Sequence, residues 1–209
     1  MKKLFFVLFS LTINVDTFAA FESTYEPLQS EKILFINGNI LDGEGNELLD
    51  TDLLIADGKI IAIGKGISVD DKDVKIIDAK NKWITPGIID IHSHMGVYPA
   101  PSVRTSSDGN EATSPVTAEV WAEHSMWVQD PQYALALKGG ITTFHVLPGS
   151  ANLIGGRGVT VKNLQRNTIQ SMKYPDAKHS LKMACGENPK RVYGNLSLIH
   201  ISEPTRQKP

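Results

Sequence analysis

The sequence predicts an α/β protein in which a strand-rich segment, residues 20–84, precedes alternating strands and helices in residues 85–196. Three observations support this prediction. In the first segment, short apolar runs alternate with Asn-Gly and Asp-Gly dipeptides, which supply the positive φ angles of tight hairpins. In the second segment, an apolar strand, a long loop, a helix and another strand follow one another, as in parallel βα units. Hydrophobic residues form 41% of the 209-residue chain, enough to bury a core.

Five apolar runs in the first segment predict strands, at residues 33–36, 39–41, 53–56, 59–63 and 74–78. The turn dipeptides Asn37-Gly38, Asp42-Gly43 and Asp57-Gly58 separate them. Taken alone, this pattern predicts a small antiparallel sheet or sandwich without visible chemistry.

The second segment begins after the breaker Pro86-Gly87 with a strand at residues 88–94. Its loop, residues 95–115, is longer than ordinary connections, and such loops are often lids or binding loops. Residues 117–127 are predicted to be helical. A second helix is expected from Asp130-Pro131, with Asp130 as its N-cap, to Gly139-Gly140. Further strands are predicted at residues 141–147, 159–161 and 181–184.

The first 19 residues have the pattern of a secretory signal peptide. Lys2 and Lys3 precede an apolar run at residues 4–13, and the small residues Thr17 and Ala19 fit cleavage after Ala19. The run is shorter than the about 20 apolar residues of a membrane span. We therefore expect an exported protein, periplasmic or secreted, with no membrane span after signal cleavage. An N-terminal core strand is the alternative interpretation.

Charge and cysteine content argue against several protein classes. The chain has 21 Lys+Arg and 23 Asp+Glu, so its formal net charge is −2 and no basic excess indicates a nucleic-acid partner. The single cysteine, Cys185, excludes an intrachain disulfide framework and a Cys-rich zinc ribbon. We interpret Cys185 as a buried structural thiol rather than a nucleophile, because no His and Asn/Asp set accompanies it.

His92 and His94 are the candidate metal-binding residues. Residues i and i+2 of a strand point to the same face, about 6.7 Å apart, so two imidazoles at this spacing can converge on one cation. Asp90 shares the face and is a candidate to orient an imidazole. A His-x-His pair also occurs by chance, but the C-terminal end of a strand is where parallel α/β proteins carry their active sites.

Three motifs follow the strand-rich segment in order: Ile-Thr-Pro-Gly-Ile-Ile-Asp-Ile-His-Ser-His, Gly-Gly-Ile-Thr-Thr-Phe-His-Val and Asn-Leu-Ile-Gly-Gly-Arg-Gly. Together they resemble the metal-dependent amidohydrolase superfamily, in particular its exported branch of imidazolonepropionase- and dihydropyrimidinase-like enzymes, over about residues 32–195. The resemblance implies an N-terminal β-sandwich segment followed by a partial (β/α)₈ TIM-like barrel whose first strand holds His92 and His94. A whole barrel needs about 250 residues, so an N-terminal fragment is implied.

The resemblance also implies one or two divalent ions, most often Zn²⁺. Where such enzymes hold two ions, a carboxylated lysine or a glutamate bridges them. Lys182, in Leu-Lys-Met-Ala-Cys-Gly-Glu, resembles the bridging lysine, and Glu187 is the alternative. The implied activity is hydrolysis of C–N bonds other than peptide bonds, in a small linear or cyclic amide, by a metal-activated water.

The remaining candidates are interpreted as structural. His124 is expected on the surface of a helix and His145 as a satisfied core histidine inside a strand. Residues 155–158, Gly-Gly-Arg-Gly, lack the Lys-Ser/Thr of a P-loop and are expected to form a substrate-side loop or a plain turn. Residues 197–209 resemble a non-native tail, so His200 is not counted as a ligand.

Two other functions stay open at this stage. The chain could be an exported non-enzymatic binding module that works through its β-rich segment, or a related metal-dependent deaminase that acts on a cyclic amidine. The amidohydrolase hypothesis itself predicts that this fragment alone is inactive and poorly soluble. A homo-oligomer of the full-length protein is compatible with the resemblance.

Overall fold

The computed structural model describes residues 20–194. The predicted signal peptide and the predicted non-native tail lie outside the described residues. Within residues 20–194 the fold is mixed α/β, rich in strands and poor in helices, and no helix there has the length and apolar character of a membrane span. The elements are β1 (Ile33–Leu41), β2 (Glu47–Ala56), β3 (Lys59–Gly64), β4 (Lys75–Asp78), β5 (Trp83–Ile84), β6 (Ile88–Ser93), α1 (Gln132–Lys138), β7 (Ile141–Val146), β8 (Ile154–Arg157), β9 (Val159–Lys162), β10 (Leu181–Met183) and α2 (Glu187–Tyr193), with 3₁₀ turns at Arg104–Ser106 and Ala122–His124.

The first sheet has the strand order β3-β2-β1-β4, and β5 also pairs with β1. The β1–β2 and β2–β3 pairs are antiparallel, whereas β4 and β5 run parallel to β1. The sheet is therefore mixed, not purely antiparallel as predicted. The predicted Asp57-Gly58 turn joins β2 to β3, with φ angles of 52° and 69°.

The expected turn at Asn37-Gly38 is wrong, because both residues lie inside the single strand β1. Asn37 has a φ of 59°, and the register with β2 shifts between Phe35 and Gly38, as at a β-bulge. The Asn37 amide donates to Asp52 Oδ1 at 3.0 Å, so the irregular residue keeps a hydrogen-bond partner. The chain can therefore continue along the same sheet.

The second part contains one parallel βα unit: β6 leads through α1 to β7, and the two strands pair in parallel. β9 then pairs antiparallel with β7, and β10 pairs antiparallel with β8. The helix α1 begins at Gln132, one residue later than expected, so its N-cap is Pro131 and not the predicted Asp130. Asp130 Oδ1 accepts the Gln132 amide at 3.0 Å, and Gly140, with a φ of 87°, follows the end of the helix.

The hydrophobic core of the segment after residue 85 lies on one face of β7. Phe144 and Val146 are fully buried together with Val159 and Val161 of β9 and the nearby Met172. Side chains alternate along a strand, so His145, between Phe144 and Val146, points to the opposite face. The core thus fixes β7 and leaves its polar face for other contacts.

Residues 117–127 do not form the predicted helix. The Thr117 amide donates to the Ile154 carbonyl at 2.8 Å, and the Arg157 amide donates to the Val120 carbonyl at 2.7 Å. These backbone groups are thus bonded to β8 instead of to a helical turn, and only the 3₁₀ turn Ala122–His124 forms.

The Gly-Gly-Arg-Gly sequence likewise forms most of β8 instead of a loop. Gly156 has a φ of 111°, and a Cβ there would lie 2.5 Å from the Val120 carbonyl oxygen. Only glycine permits this approach, and it brings β8 close enough to bond to the segment before it.

Candidate metal centre

His92 lies in β6 and His94 follows it immediately. Their ring centroids are 5.3 Å apart, and the rings meet nearly edge to face at 81°. The predicted proximity of the two imidazoles is therefore present in the structure.

The ring of His94 has a defined tautomer. Its Nδ1 lies 2.9 Å from the Leu147 carbonyl oxygen, which can only accept, so Nδ1 carries the proton. The Nε2 lone pair is then free to bind a cation. Metal-binding histidines commonly donate their second ring nitrogen to a carbonyl or carboxylate in this way.

Lys182 reaches the same place from β10. Its Nζ lies 3.1 Å from His92 Nε2. The antiparallel pairing of β10 with β8 sets Lys182 opposite Gly156, and a Cβ at the neighbouring Gly155 would lie 3.8 Å from Lys182 Cγ. The Lys182 side chain thus extends along Gly155 and Gly156, which have no side chains to obstruct it.

The surroundings of His92 and Lys182 lower the pKa of both groups. The Lys182 ammonium lowers the pKa of His92, with smaller contributions from burial and from His94, while Asp90 opposes them. Burial lowers the pKa of Lys182. Neutral imidazole and neutral amine both offer a lone pair, which their protonated forms lack.

Asp90 does not orient an imidazole ring. Its Oδ1 accepts the backbone amide of His92 at 3.1 Å, so it holds the strand end instead. Glu187, the alternative to Lys182, lies in the first turn of α2 with its side chain 83% exposed, and its Oε1 is 3.9 Å from Arg191 Nη1. Of the two candidates, the structure brings Lys182 to His92.

No group of three or more His, Cys, Asp and Glu side chains within residues 20–194 is arranged to hold a metal ion. The pair His92 and His94 with Lys182 is a different donor set, because its third member is an amine.

The structure places the other candidate residues, His145, His124 and Cys185, in contacts that do not involve the candidate metal centre. Both ring nitrogens of His145 are bonded, to Thr160 and Ser180, as expected, but His145 is only half-buried and does not belong to the core, which corrects the prediction of a core histidine. His124 lies in a 3₁₀ turn, not a helix, with its ring 5.1 Å from that of Phe21. Cys185 is free and only half-buried, which corrects the prediction of a buried thiol.

A cavity of about 260 Å³ beside His94 was not predicted. It is lined in part by Tyr98, Asn110, Ser150 and Arg191. Ser150 carried a signal because it follows the C-terminal end of β7, where parallel α/β proteins place functional groups, and Tyr98 and Asn110 lie in the long loop 95–115 that was singled out as a binding-loop candidate. Arg191 comes from α2, whose position the local sequence does not determine.

Comparison with known proteins relates this chain to amidohydrolases, although no protein-family model matches it. The amidohydrolase tasK of Hapsidospora irregularis is 34% identical over 155 residues, which are 69% of this chain and 16% of that protein. A dihydroorotase of Bacillus cytotoxicus is 34% identical over 117 residues, 56% of this chain and 21% of that enzyme.

A solved structure shares the fold. The crystal structure of an amidohydrolase from Thermotoga maritima MSB8 superposes with a TM-score of 0.69 at 40% identity, covering 78% of this chain and 41% of that one. The chain spans about a fifth of the length of the curated relatives it matches. With its motifs, its fold and these relatives in agreement, the chain belongs to the amidohydrolase superfamily.

Proposed function

We propose that the chain is part of a metal-dependent hydrolase that cleaves C–N bonds other than peptide bonds, in linear or cyclic small-molecule amides, by a metal-activated water. The proximity of His92 to both His94 and Lys182 is the main support for this proposal. The relatives named amidohydrolase and dihydroorotase support hydrolysis of amide-type C–N bonds as the reaction class.

The donor set fits a divalent cation. His94 presents a free Nε2, because its Nδ1 donates to Leu147, and the lowered pKa of His92 favours the neutral ring that a metal requires. Nitrogen ligands of this kind suit Zn²⁺, so one or two zinc ions are the proposed cofactor.

Lys182 becomes a better ligand by reacting with CO₂. The neutral Nζ attacks the carbon of CO₂, an N–C bond forms, and one amine proton leaves to solvent, which gives an anionic carbamate with two oxygen donors. The lowered pKa of Lys182 increases the neutral fraction that this step needs. Lys182 is therefore the proposed bridging ligand if two ions bind.

A divalent cation in this place supplies a water of lowered pKa and polarises the scissile carbonyl. The residues of the chain position the ligands and the substrate. The Leu147 carbonyl holds the His94 ring, the Asp90 carboxylate holds the backbone of His92, and the cavity beside His94 receives the substrate.

We further propose that β6, α1 and β7 are the first βα unit of a (β/α)₈ barrel and that the 209-residue chain alone is inactive. Ile88, Ile89 and Ile91 of β6 are 54%, 61% and 76% exposed, although they lie in the strand that carries the site. Further barrel elements would cover these side chains. The proposed location is periplasmic or extracellular, and the proposed full-length protein is free to form a homo-oligomer.

The test compares the complete wild-type protein with the double variant H92A/H94A by elemental analysis. We expect bound zinc or a similar ion in the wild type and its loss in the variant. A wild type without stoichiometric metal contradicts the proposal and favours a binding module. Release of ammonia from a cyclic amidine whose ring stays closed would instead identify a deaminase.

A further inference from the structure

Three side chains from separate parts of the chain form a line of hydrogen bonds behind the candidate metal centre. His145 Nδ1 lies 2.9 Å from Thr160 Oγ1, and His145 Nε2 lies 2.6 Å from Ser180 Oγ. His145 belongs to β7 and Thr160 to β9, so the first contact lies within one sheet. The second contact leaves that sheet and reaches the residue before β10.

Ser180 is also held by its backbone. Its carbonyl accepts the Gly158 amide at 3.0 Å, while the Gly158 carbonyl accepts a hydrogen bond from His179 Nδ1 at 2.8 Å. A Cβ on Gly158 would lie 2.8 Å from Ser180 Oγ, so glycine at this position leaves room for the hydroxyl. The chain is thus fixed just before β10 begins.

The strand β10 needs such an anchor because it is short. It has three residues, pairs only with β8 within the described part of the chain, and changes register between Lys182 and Met183. Two residues after Ser180, Lys182 Nζ reaches His92 Nε2 at 3.1 Å. A shift of one residue along the strand would turn the Lys182 side chain to the other face.

The imidazole of His145 is suited to this role in a way that an apolar side chain is not. Its neighbours Phe144 and Val146 already fill the buried face of β7, so His145 is not needed for that core. Its two ring nitrogens contact a hydroxyl on either side, which leaves neither available to bind a cation.

We propose that His145 is a positioning residue: through Ser180 it holds β10 at the place where Lys182 meets His92. Thr160 completes the arrangement by fixing the His145 ring. This inference rests on the proposed function, in which Lys182 is a metal ligand.

The test uses the complete protein, freed of metal and titrated with Co²⁺ alone. The variants are H145F, which keeps an aromatic ring and removes both contacts, and S180A, which removes only the hydroxyl. We expect both to weaken Co²⁺ binding about 10- to 100-fold, the usual effect of removing a group that orients metal ligands, and to change the visible Co²⁺ spectrum. S180T keeps the hydroxyl and is expected to restore affinity and spectrum.

H124F is the matched control, because it keeps an aromatic ring against Phe21 and Trp121, and within residues 20–194 His124 makes no hydrogen bond to Ser180. It should leave the Co²⁺ spectrum unchanged. A wild-type spectrum and affinity in S180A would overturn the positioning role while the proposed function stands. A wild type that binds no Co²⁺ would overturn both.

Discussion

Lys182 Nζ lies 3.1 Å from His92 Nε2, although 90 residues separate the two in the sequence. Two basic groups at this distance repel each other when both are protonated. The Lys182 ammonium accordingly lowers the pKa of His92, whereas burial lowers the pKa of Lys182.

Replacing Lys182 with alanine should raise the pKa of His92 towards its usual value of about 6.5, because the Lys182 ammonium is the largest cause of the lowering. In the metal-free wild type, an unfolded chain protonates this histidine at a higher pH than the folded protein does. Stability therefore falls as the pH drops below about 6.5, and the fall should be smaller in K182A. Titration of the His92 ring by NMR measures the shift.

The exposed Lys178 gives the control for this experiment. K178A removes the same charge from a nearby segment and should leave the His92 titration in place. An unchanged His92 pKa in K182A would mean that the two side chains do not meet in solution.

Features set by neighbouring residues could be predicted from the sequence. The Asp57-Gly58 turn and the proximity of His92 to His94 depend on local dihedral preferences and on the alternation of a strand. The bulge at Asn37 was missed because its amide bonds to Asp52 in another strand. The loop at residues 117–127 was missed for the same reason, since its backbone bonds to β8.

The same distinction between local and long-range contacts applies to the candidate site. Lys182 was suggested by resemblance, and its contact with His92 depends on the β8–β10 pairing, for which no local pattern exists. Ser180 and Thr160 carried no sequence signal, because single hydroxyl residues are common and their contacts with His145 arise only in the folded chain.

A second prediction concerns the buried ion pair between Glu123 and Lys173. The two side chains are 0% and 8% exposed, and Oε2 and Nζ are 2.5 Å apart. Glu123 Oε1 also accepts the Phe21 amide at 3.1 Å, and Lys173 donates to the Phe21 carbonyl. K173M should lower the free energy of unfolding by about 3–5 kcal/mol, because it leaves a buried carboxylate unpaired. Urea unfolding of the complete protein measures this.

The double variant E123Q/K173M should recover part of that loss, since no buried charge remains. K65M serves as the exposed counterpart. Lys65 lies 3.8 Å from Asp50 with both side chains mostly exposed, and its removal should change stability little. Equal losses in K65M and K173M would show that burial does not set the strength of the Glu123 pair.

A third prediction tests the close approach at Gly156. G156A places a Cβ 2.5 Å from the Val120 carbonyl at a φ of 111°, so both a clash and an unfavourable backbone conformation oppose it. We expect the free energy of unfolding to fall by about 1–3 kcal/mol or more. Metal binding should also weaken, because β8 pairs with β10, the strand that contains Lys182.

Gly45 separates the two causes. Its φ is 101° and nothing lies within 4 Å of an added Cβ, so G45A measures the cost of the backbone conformation alone. The loss in G156A should exceed that in G45A, and only G156A should affect Co²⁺ binding. Equal losses in the two variants would show that Val120 moves aside without cost.

The last prediction concerns the 209-residue chain made alone. Ile88, Ile89 and Ile91 are more than half exposed on the strand that carries His92, and exposed large apolar side chains promote association. The isolated chain should bind a hydrophobic dye, sediment as aggregates and lack a cooperative thermal transition. In the complete protein, further elements of the proposed barrel would cover these side chains, so dye binding should be low. A cooperative transition of the isolated chain, accompanied by amide hydrolysis, would contradict the proposal that it is an incomplete enzyme.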